Sequence, residues 1–144
     1  MLSLPKNLQT ATEWIFSCIG TTTFVDAQLM DAASVVGAST PAFFATVLDG
    51  IIEGGVNHGL SDSDALRLAA QAMKGVAEMV LKGLGPDSTA TSTPSHIAES
   101  VMTPNGCTER GVKTMAAHGV KEAMTEATSR AIDRVGELRK NVET

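Results

Sequence analysis

The sequence predicts an all-α protein whose helices interleave with those of a second copy. Apolar residues recur at helical spacing through most of the 144 residues. Capping and turn residues stand where these patterns begin and end. Aromatic residues make up only 3% of the chain, which favours helices packed closely through small side chains. A chain of this length makes one ordinary domain rather than two.

The first 25 residues predict a short helix followed by an extended segment. Leu4 to Phe16 carries apolar residues at helical spacing, and Ile19-Gly20 ends the pattern. Thr21 to Val25 is β-branched and aromatic, which favours a short strand or an extended piece. A lone strand has no sheet to join here, so it either packs across a dimer or is the remnant of a lost sheet.

The next segment predicts two helices separated by a break. Asp26 to Val36 forms the first, with Asp26 as its N-cap. Gly37 to Thr40 interrupts the pattern, and Pro41 begins a second helix that closes at Gly54-Gly55. The apolar face of this helix is broad and comprises Phe43, Phe44, Val47, Leu48, Ile51 and Ile52. Because one small domain cannot cover so broad a face, we expect a homodimer; a monomeric helical bundle is the alternative.

Four more helices complete the predicted helical domain, which spans 26–144. Ser61 is the N-cap of the first, which ends at Gly83. Ser95 to Val101 is short, and another short helix closes at His118-Gly119. The last runs from about Val120 to Leu138 with a narrow stripe of small residues, typical of a helix lying on a neighbour.

Composition argues against several classes of function. The net charge is −5 and there is no basic run, so we expect no nucleic-acid partner. The apolar runs are too short for a bilayer and the first residues do not form a signal peptide, so we expect no membrane partner. Cys18 and Cys107 make neither a disulfide framework nor a metal motif, and the three histidines are scattered. Reduced thiols indicate a cytoplasmic protein.

Two clusters of hydroxyl and turn residues mark a candidate ligand site. Thr103-Pro104-Asn105-Gly106-Cys107-Thr108 and Ala38-Ser39-Thr40-Pro41-Ala42-Phe43 each precede a helical pattern. The start of a helix has unpaired N–H groups and a positive dipole end, so it suits a carboxylate. The candidate binding residues are Thr103, Asn105, Gly106, Cys107, Thr108 and Thr40. The plain alternative is a helix cap, with Thr103 as N-cap and Pro104 in the first turn.

Two side chains that precede the Thr103–Thr108 cluster, those of His96 and Glu99, are candidates for catalysis. His96 could act as a general acid or base near neutral pH, and Glu99 could meet a cationic or imine nitrogen. Exposed polar side chains are the alternative for both. Cys107 could be an acidified thiol at a helix start, but small filler is the simpler interpretation.

Several pieces, taken in order, resemble the C-terminal dimerisation and substrate-binding domain of pyrroline-5-carboxylate reductases. They are Phe16-Ser17-Cys18-Ile19-Gly20, Leu29-Met30-Asp31-Ala32, Ser39-Thr40-Pro41-Ala42-Phe43-Phe44, Gly54-Gly55-Val56, Gly59-Leu60, Ala69-Ala70-Gln71, Gly75 and Thr103-Pro104-Asn105-Gly106-Cys107-Thr108. The resemblance implies an interleaved helical dimer of the 6-phosphogluconate-dehydrogenase C-terminal type. It also implies a carboxylate held at the Thr103–Thr108 loop, with the Thr108 hydroxyl near an imine nitrogen. There the hydroxyl would assist protonation, so the resemblance makes Thr108 a third candidate for catalysis.

The chain also departs from this family. Residues 1–25 resemble the end of the family's cofactor domain, but no G-x-G-x-x-G sequence occurs, so we expect no nicotinamide cofactor on this chain. Thr103 replaces a Ser, and Asn105 and Thr40 each replace a Gly, so the pocket is reshaped. One hypothesis is a binder of a small imine or carboxylate metabolite that catalyses a non-redox cyclisation or isomerisation. The alternatives are a non-catalytic dimerisation or regulatory partner of a full-length reductase, and a truncated ordinary reductase.

Overall fold

The described part of the chain is all-helical. A computed structural model describes residues 5–84 and 93–142, and these contain no β-strand, which confirms the predicted class. Thr21 to Val25 belongs to no helix or strand and makes no backbone hydrogen bond within this part of the chain. The helices are α1 (Lys6–Ser17), α2 (Met30–Ser34), α3 (Thr40–Val56), α4 (Asp62–Lys82), α5 (Pro94–Ser100), α6 (Cys107–Ala117) and α7 (Val120–Val142).

The predicted break at Gly37 to Thr40 is wrong. A 3₁₀ turn (Ala27–Leu29), α2, a π-helical turn (Val35–Ser39) and α3 follow one another without interruption, and we call this run the central helix. Pro41 has no N–H to donate within a helix. Just before Pro41 the helix widens into a π turn, in which the Thr40 N–H donates to the Val35 carbonyl five residues earlier instead of four. The helix can therefore continue past the proline. The Thr40 hydroxyl then donates to the Val36 carbonyl at 2.7 Å.

The helix ends follow the predicted local chemistry in most places. The Ser61 side chain accepts from the Asp64 N–H at 3.1 Å, which confirms it as the N-cap of α4. His118 ends α6, and Gly119 turns the chain at φ +63°. Asp26 occupies the predicted N-cap position, but its side chain makes no capping hydrogen bond.

The most deeply buried apolar side chain, Val35, lies where α7 meets the central helix. α7 contacts α2 and the π turn, and α3 packs against α4. Val35, in the π turn, is only 1% exposed. Beside it, the Arg139 guanidinium lies 3.2 Å from each carboxylate oxygen of Asp31, a bidentate pair that joins residues 108 positions apart. This pair holds the end of α7 against the start of the central helix.

Little of the apolar surface is covered within one chain. Among the described residues the buried apolar side chains are Val35, Ala65 and Ile97. The accessible surface is 11,564 Å² for a 15.0 kDa chain, whereas a compact monomer of that mass exposes about 7,000 Å². No residue of α3 is buried, and its predicted apolar face is half-buried or exposed. That face is therefore not the core of a single chain, and a second copy would be needed to cover it.

The central helix also overturns the expectation that no apolar segment could span a bilayer. By length and composition alone, Ala27–Val56 is a helix that could cross a membrane. Only 6% of its most apolar 18-residue stretch is buried within the chain. A core helix of a soluble protein passes the same test. The expectation failed because the predicted break does not exist and two short helices form one run of 30 residues.

We expect the pure chain to form a dimer of twice its 15.0 kDa mass, through the exposed face of α3. Phe44 and Ile51 lie two turns apart on that face, and each is more than half exposed. Burying a carboxylate there costs several kcal/mol, so Phe44→Glu and Ile51→Glu should each shift the mass to that of one chain. Analytical ultracentrifugation measures this shift.

The matched control is Gln71→Glu, which adds the same charge at an exposed polar position of α4. It should leave the dimer intact. A single-chain mass for the wild-type protein at micromolar concentration would contradict the prediction.

Candidate functional site

The candidate loop is a tight turn that ends at the start of α6. The Gly106 N–H donates to the Thr103 carbonyl at 2.8 Å, which closes a four-residue turn. Pro104 is at its second position and Asn105 is at its third, with φ +60°. A proline followed by a residue with positive φ is the pattern of a type II turn. Asparagine tolerates this conformation better than most residues, so the turn persists although Asn105 replaces a glycine of the resembled motif.

Gly106, not Thr103, is the N-cap of α6. Its backbone is extended, at φ −78° and ψ 171°, and α6 begins at Cys107. The alternative with Thr103 as N-cap is therefore wrong, because the turn delays the helix by three residues. A Cβ on Gly106 would collide with the Thr103 hydroxyl and lie 2.9 Å from the Thr103 carbonyl oxygen, so the turn needs a glycine here.

Glu109 braces the loop from within the helix. Its Oε2 accepts from the Asn105 N–H at 2.6 Å, and its Oε1 lies 2.7 Å from the Lys113 ammonium. Both partners lower the pKa of Glu109 below its ordinary value of 4.5, and the hydrogen bond with Lys113 has the larger effect. Sequence reasoning missed Glu109, although an acidic residue three positions after an N-cap is a known signal.

The loop leaves the start of α6 open to a ligand. The first N–H groups of a helix have no partner within it, and Gly106 supplies no side-chain cap for those of Cys107 and Thr108. Lys113 offsets the charge of Glu109, and Arg110 adds a further positive charge nearby. Thr108 is half-buried at this helix start, whereas Cys107 is exposed. The arrangement suits a small anion more than a cation.

A cleft of about 820 Å³ runs along this side of α6. Its lining residues are Asn105, Gly106, Cys107, Glu109, Arg110, Lys113, Thr114, Ala117 and His118. All of them belong to the loop and α6, so the cleft has one wall and is open on the other side. The structure thus places Asn105, Gly106 and Cys107 on one surface.

The other predicted site residues do not line this cleft. Thr103 and Thr108 flank it within the loop and the first turn of α6. His96 and Glu99 are exposed on α5, where the His96 N–H donates to the capping Thr93 hydroxyl at 3.3 Å. The Thr40 hydroxyl donates to the backbone of the π turn. The catalytic roles of Thr108, His96 and Glu99 stay predictions, as do the binding roles.

No group of three or more metal-ligating side chains occurs among residues 5–84 and 93–142. His118 Nδ1 lies 2.8 Å from the Thr114 carbonyl and His58 Nδ1 lies 2.9 Å from the Gly54 carbonyl. Each histidine follows the end of a helix and contacts a carbonyl in the last turn of that helix. These two rings thus engage backbone oxygens.

Comparison with known proteins then identifies the family. The model of the pyrroline-5-carboxylate reductase dimerisation domain matches residues 27–138. The chain belongs to this family. The resemblance inferred from the sequence is thereby confirmed, and the matched region contains both the central helix and the candidate loop.

Individual relatives agree with this assignment. The chain is 37% identical over 128 residues to a pyrroline-5-carboxylate reductase of Neurospora crassa, covering 89% of this chain and 36% of the relative. It is 35% identical over 136 residues to the pyrroline-5-carboxylate reductase of Methanosarcina acetivorans, covering 94% of this chain and 47% of that relative. The chain therefore spans less than half the length of these curated relatives.

Solved structures share the fold. A pyrroline-5-carboxylate reductase from Coxiella burnetii superposes with a TM-score of 0.82 at 21% identity, over 94% of this chain and 48% of that one. A Plasmodium falciparum pyrroline carboxylate reductase with NADP bound superposes with a TM-score of 0.78 at 21% identity, over 93% of this chain and 51% of that one. At this level of identity the likeness establishes the fold alone.

The turn generates a prediction about Asn105. A β-branched residue at φ +60° is strained by about 1–2 kcal/mol, so Asn105→Val should lower the free energy of unfolding by that amount. Asn105→Gly should be close to neutral, because glycine adopts the same conformation without strain. Chemical denaturation at fixed protein concentration measures both. Equal losses for the two variants would contradict the prediction.

The brace generates a prediction about pH. Folding lowers the pKa of Glu109. The ionised carboxylate therefore stabilises the folded state at pH values above the ordinary pKa of 4.5. This contribution is lost as the pH falls through the lower folded pKa. Lys113→Met should raise the pKa of Glu109 towards its ordinary value, as measured by NMR titration of the carboxyl carbon. Lys74→Met, which removes an exposed partner of Glu78 on α4, is the control and should leave the Glu109 titration unchanged.

Proposed function

We propose that this chain dimerises and holds the carboxylate of a small cyclic imine or amino acid, as a component of a pyrroline-5-carboxylate-reductase-type system. The observation that carries the proposal is the open start of α6 behind the Thr103–Gly106 turn. Membership of the reductase family supports the class of ligand. The relatives' names specify a pyrroline carboxylate as the molecule that those proteins reduce.

The chemistry of the loop supports a carboxylate ligand in particular. The N–H groups of Cys107 and Thr108 provide hydrogen-bond donors at the positive end of α6. Arg110, which lines the cleft, adds a positive charge. The family resemblance assigns the Thr108 hydroxyl to the ring nitrogen. Asn105 adds a side chain to the lining of the cleft where the motif has a glycine, so the preferred ring substituents differ from those of the relatives.

The residues of this chain do not fit a nicotinamide dinucleotide. The sequence has no G-x-G-x-x-G, and within residues 5–84 and 93–142 no strand precedes a helix, which is the setting in which that motif holds a pyrophosphate. We therefore limit the proposal for these 144 residues to dimerisation and substrate holding.

A non-redox cyclisation or isomerisation would need a proton-transferring group beside the loop. His96 and Glu99 lie exposed on α5 and do not line the cleft, so we limit the proposal to binding. A second candidate function is a non-catalytic dimerisation or regulatory partner of a full-length reductase. The exposed face of α3, which lies inside the matched dimerisation region, favours it. Exposed, unpaired Cys18 and Cys107 fit the cytoplasmic location that we propose for either role.

Ligand binding tests the proposal. L-proline should raise the melting temperature of the chain, and cyclopentanecarboxylate, which lacks the ring nitrogen, should raise it less. Thr108→Ala should weaken proline binding about three- to tenfold, the usual effect of losing one hydrogen bond. Thr108→Ser keeps the hydroxyl and should bind nearly as well. Calorimetry on the purified dimer measures the affinities.

Thr125→Ala is the control, because it removes a threonine hydroxyl that donates to the helix backbone of α7, far from the loop in sequence. It should leave proline binding unchanged. If no carboxylate stabilises the wild-type chain, the binding proposal fails and the partner function remains. If proline binds equally well to Thr108→Ala, the role given to Thr108 fails.

A further inference from the structure

Asn105 and Gly106 form the one Asn-Gly dipeptide of the sequence. The four asparagines are Asn7, Asn57, Asn105 and Asn141, and the other three are followed by leucine, histidine and valine. A glycine after an asparagine leaves the backbone nitrogen between them open to attack the side chain, because no Cβ shields it. Asn105 is exposed and lines the cleft beside α6, so water reaches its amide.

The shape of the turn maintains this dipeptide. Position 105 has φ +60°, a conformation that suits glycine and that asparagine tolerates. Position 106 needs a glycine, since a Cβ there would collide with the Thr103 hydroxyl and lie 2.9 Å from the Thr103 carbonyl oxygen. A substitution of Gly106 therefore disturbs the turn, whereas Asn105→Gly removes the dipeptide and keeps the turn.

The chemistry open to this pair is a ring closure that needs only water. The Gly106 backbone nitrogen gives up its proton to hydroxide and attacks Cγ of Asn105, and an N–Cγ bond forms. The Cγ–Nδ2 bond breaks, and Nδ2 takes up a proton from water and leaves as ammonia. The reaction is intramolecular, which favours it strongly. Water then opens the five-membered succinimide at either carbonyl, so the products are aspartate and isoaspartate, and no atom is oxidised or reduced.

The closed turn restrains this attack. The Gly106 N–H donates to the Thr103 carbonyl at 2.8 Å and must leave that bond before it loses its proton. The Asn105 N–H is held by Glu109 Oε2 at 2.6 Å. Thr103, Pro104 and Asn105 are all exposed, so opening the turn breaks hydrogen bonds but exposes no buried side chain of these three residues. Such segments open locally far more often than the whole fold does, and this opening sets the rate of the reaction.

A carboxylate at position 105 changes the charge of the cleft. The charged residues that line it are two bases, Arg110 and Lys113, and one acid, Glu109. A second acid cancels this positive excess and repels a bound anion. The isoaspartate product also lengthens the backbone of the turn by one carbon atom, which displaces the start of α6 from Thr103.

We propose that Asn105 is a self-modification site, at which attack by the Gly106 nitrogen releases ammonia and leaves a carboxylate that weakens anion binding at the start of α6. The modification depends on the turn alone. Its effect on binding rests on the proposed function, because it requires a carboxylate site that is active in the unmodified chain.

Peptide mapping by mass spectrometry measures the modification in the full 144-residue chain, kept at mildly alkaline pH. The peptide that contains Asn105 should gain the mass difference between an amide and an acid before the peptides that contain Asn7 and Asn57 do. Both isoaspartate and aspartate should form, because the succinimide opens on either side. Direct hydrolysis of the amide would give aspartate alone.

Two variants and one control test the role of the turn. Glu109→Ala removes the acceptor of the Asn105 N–H and should speed the modification about tenfold, the effect of losing a hydrogen bond to a charged group. The control is Glu78→Ala, which removes an exposed acid with a lysine partner on α4 and should leave the rate unchanged. Asn105→Gly removes the reactive amide, so its loop peptide should keep its mass.

Calorimetry with L-proline measures the effect on binding. Asn105→Asp should bind proline about three- to fivefold more weakly than the wild-type chain, the usual effect of one charge near the surface. The difference should shrink at high salt, because exposed charges are screened. Asn57→Asp makes the same exchange at the end of α3 and should bind as the wild-type chain does. Aged wild-type chain should lose affinity as the modified fraction grows, and aged Asn105→Gly should not.

The opposite outcomes overturn the proposal. Modification of Asn7 or Asn57 before Asn105, an unchanged rate in Glu109→Ala, or aspartate as the sole product would refute a ring closure controlled by the turn. Equal proline affinities of Asn105→Asp and the wild-type chain would refute the effect on binding. If the unmodified chain binds no proline, the proposed function and the effect on binding both fail, and the mass change at Asn105 still decides the modification.

Discussion

Pro41 has no N–H to give, and the architecture depends on how the central helix accommodates it. A proline inside a regular helix clashes with the carbonyl four residues earlier, and the usual result is a kink or a break. Here a wider π turn lets the helix continue. In it the Thr40 N–H donates to the Val35 carbonyl and the Thr40 hydroxyl donates to the Val36 carbonyl. The helix therefore continues from Ala27 to Val56, and its apolar face is far longer than one chain of this size can cover.

The same turn contains the most deeply buried apolar side chain of the described residues. Val35 is buried there against α7, and the Asp31–Arg139 pair closes the contact one turn away. The Asp31 side chain is 21% exposed, so this pair is less screened by water than the ion pairs within α7. Because so little else is buried, the chain has the character of one half of an interleaved assembly.

The candidate site depends on local chemistry more than on this packing. The Thr103–Gly106 turn, the positive φ of Asn105 and the Glu109 brace all involve residues within seven positions of one another. The loop can therefore keep its shape with a single wall. A second wall, which a ligand needs for selectivity, has to come from outside the segment that forms the cleft.

The sequence by itself determined the features that depend on near neighbours. The all-helical class, the Ser61 cap, the Gly119 helix end and a turn that asparagine could hold were all predictable, because capping and turn formation involve groups within a few residues. The resemblance carried by Ser39 to Phe44 and Thr103 to Thr108 also identified the family correctly. Tertiary structure decided the rest. Whether Pro41 starts a helix or lies within one depends on the energy of a π turn, and composition does not reveal this. The pairing of Asp31 with Arg139 joins residues 108 positions apart, and only the packing of α7 on the central helix brings them together.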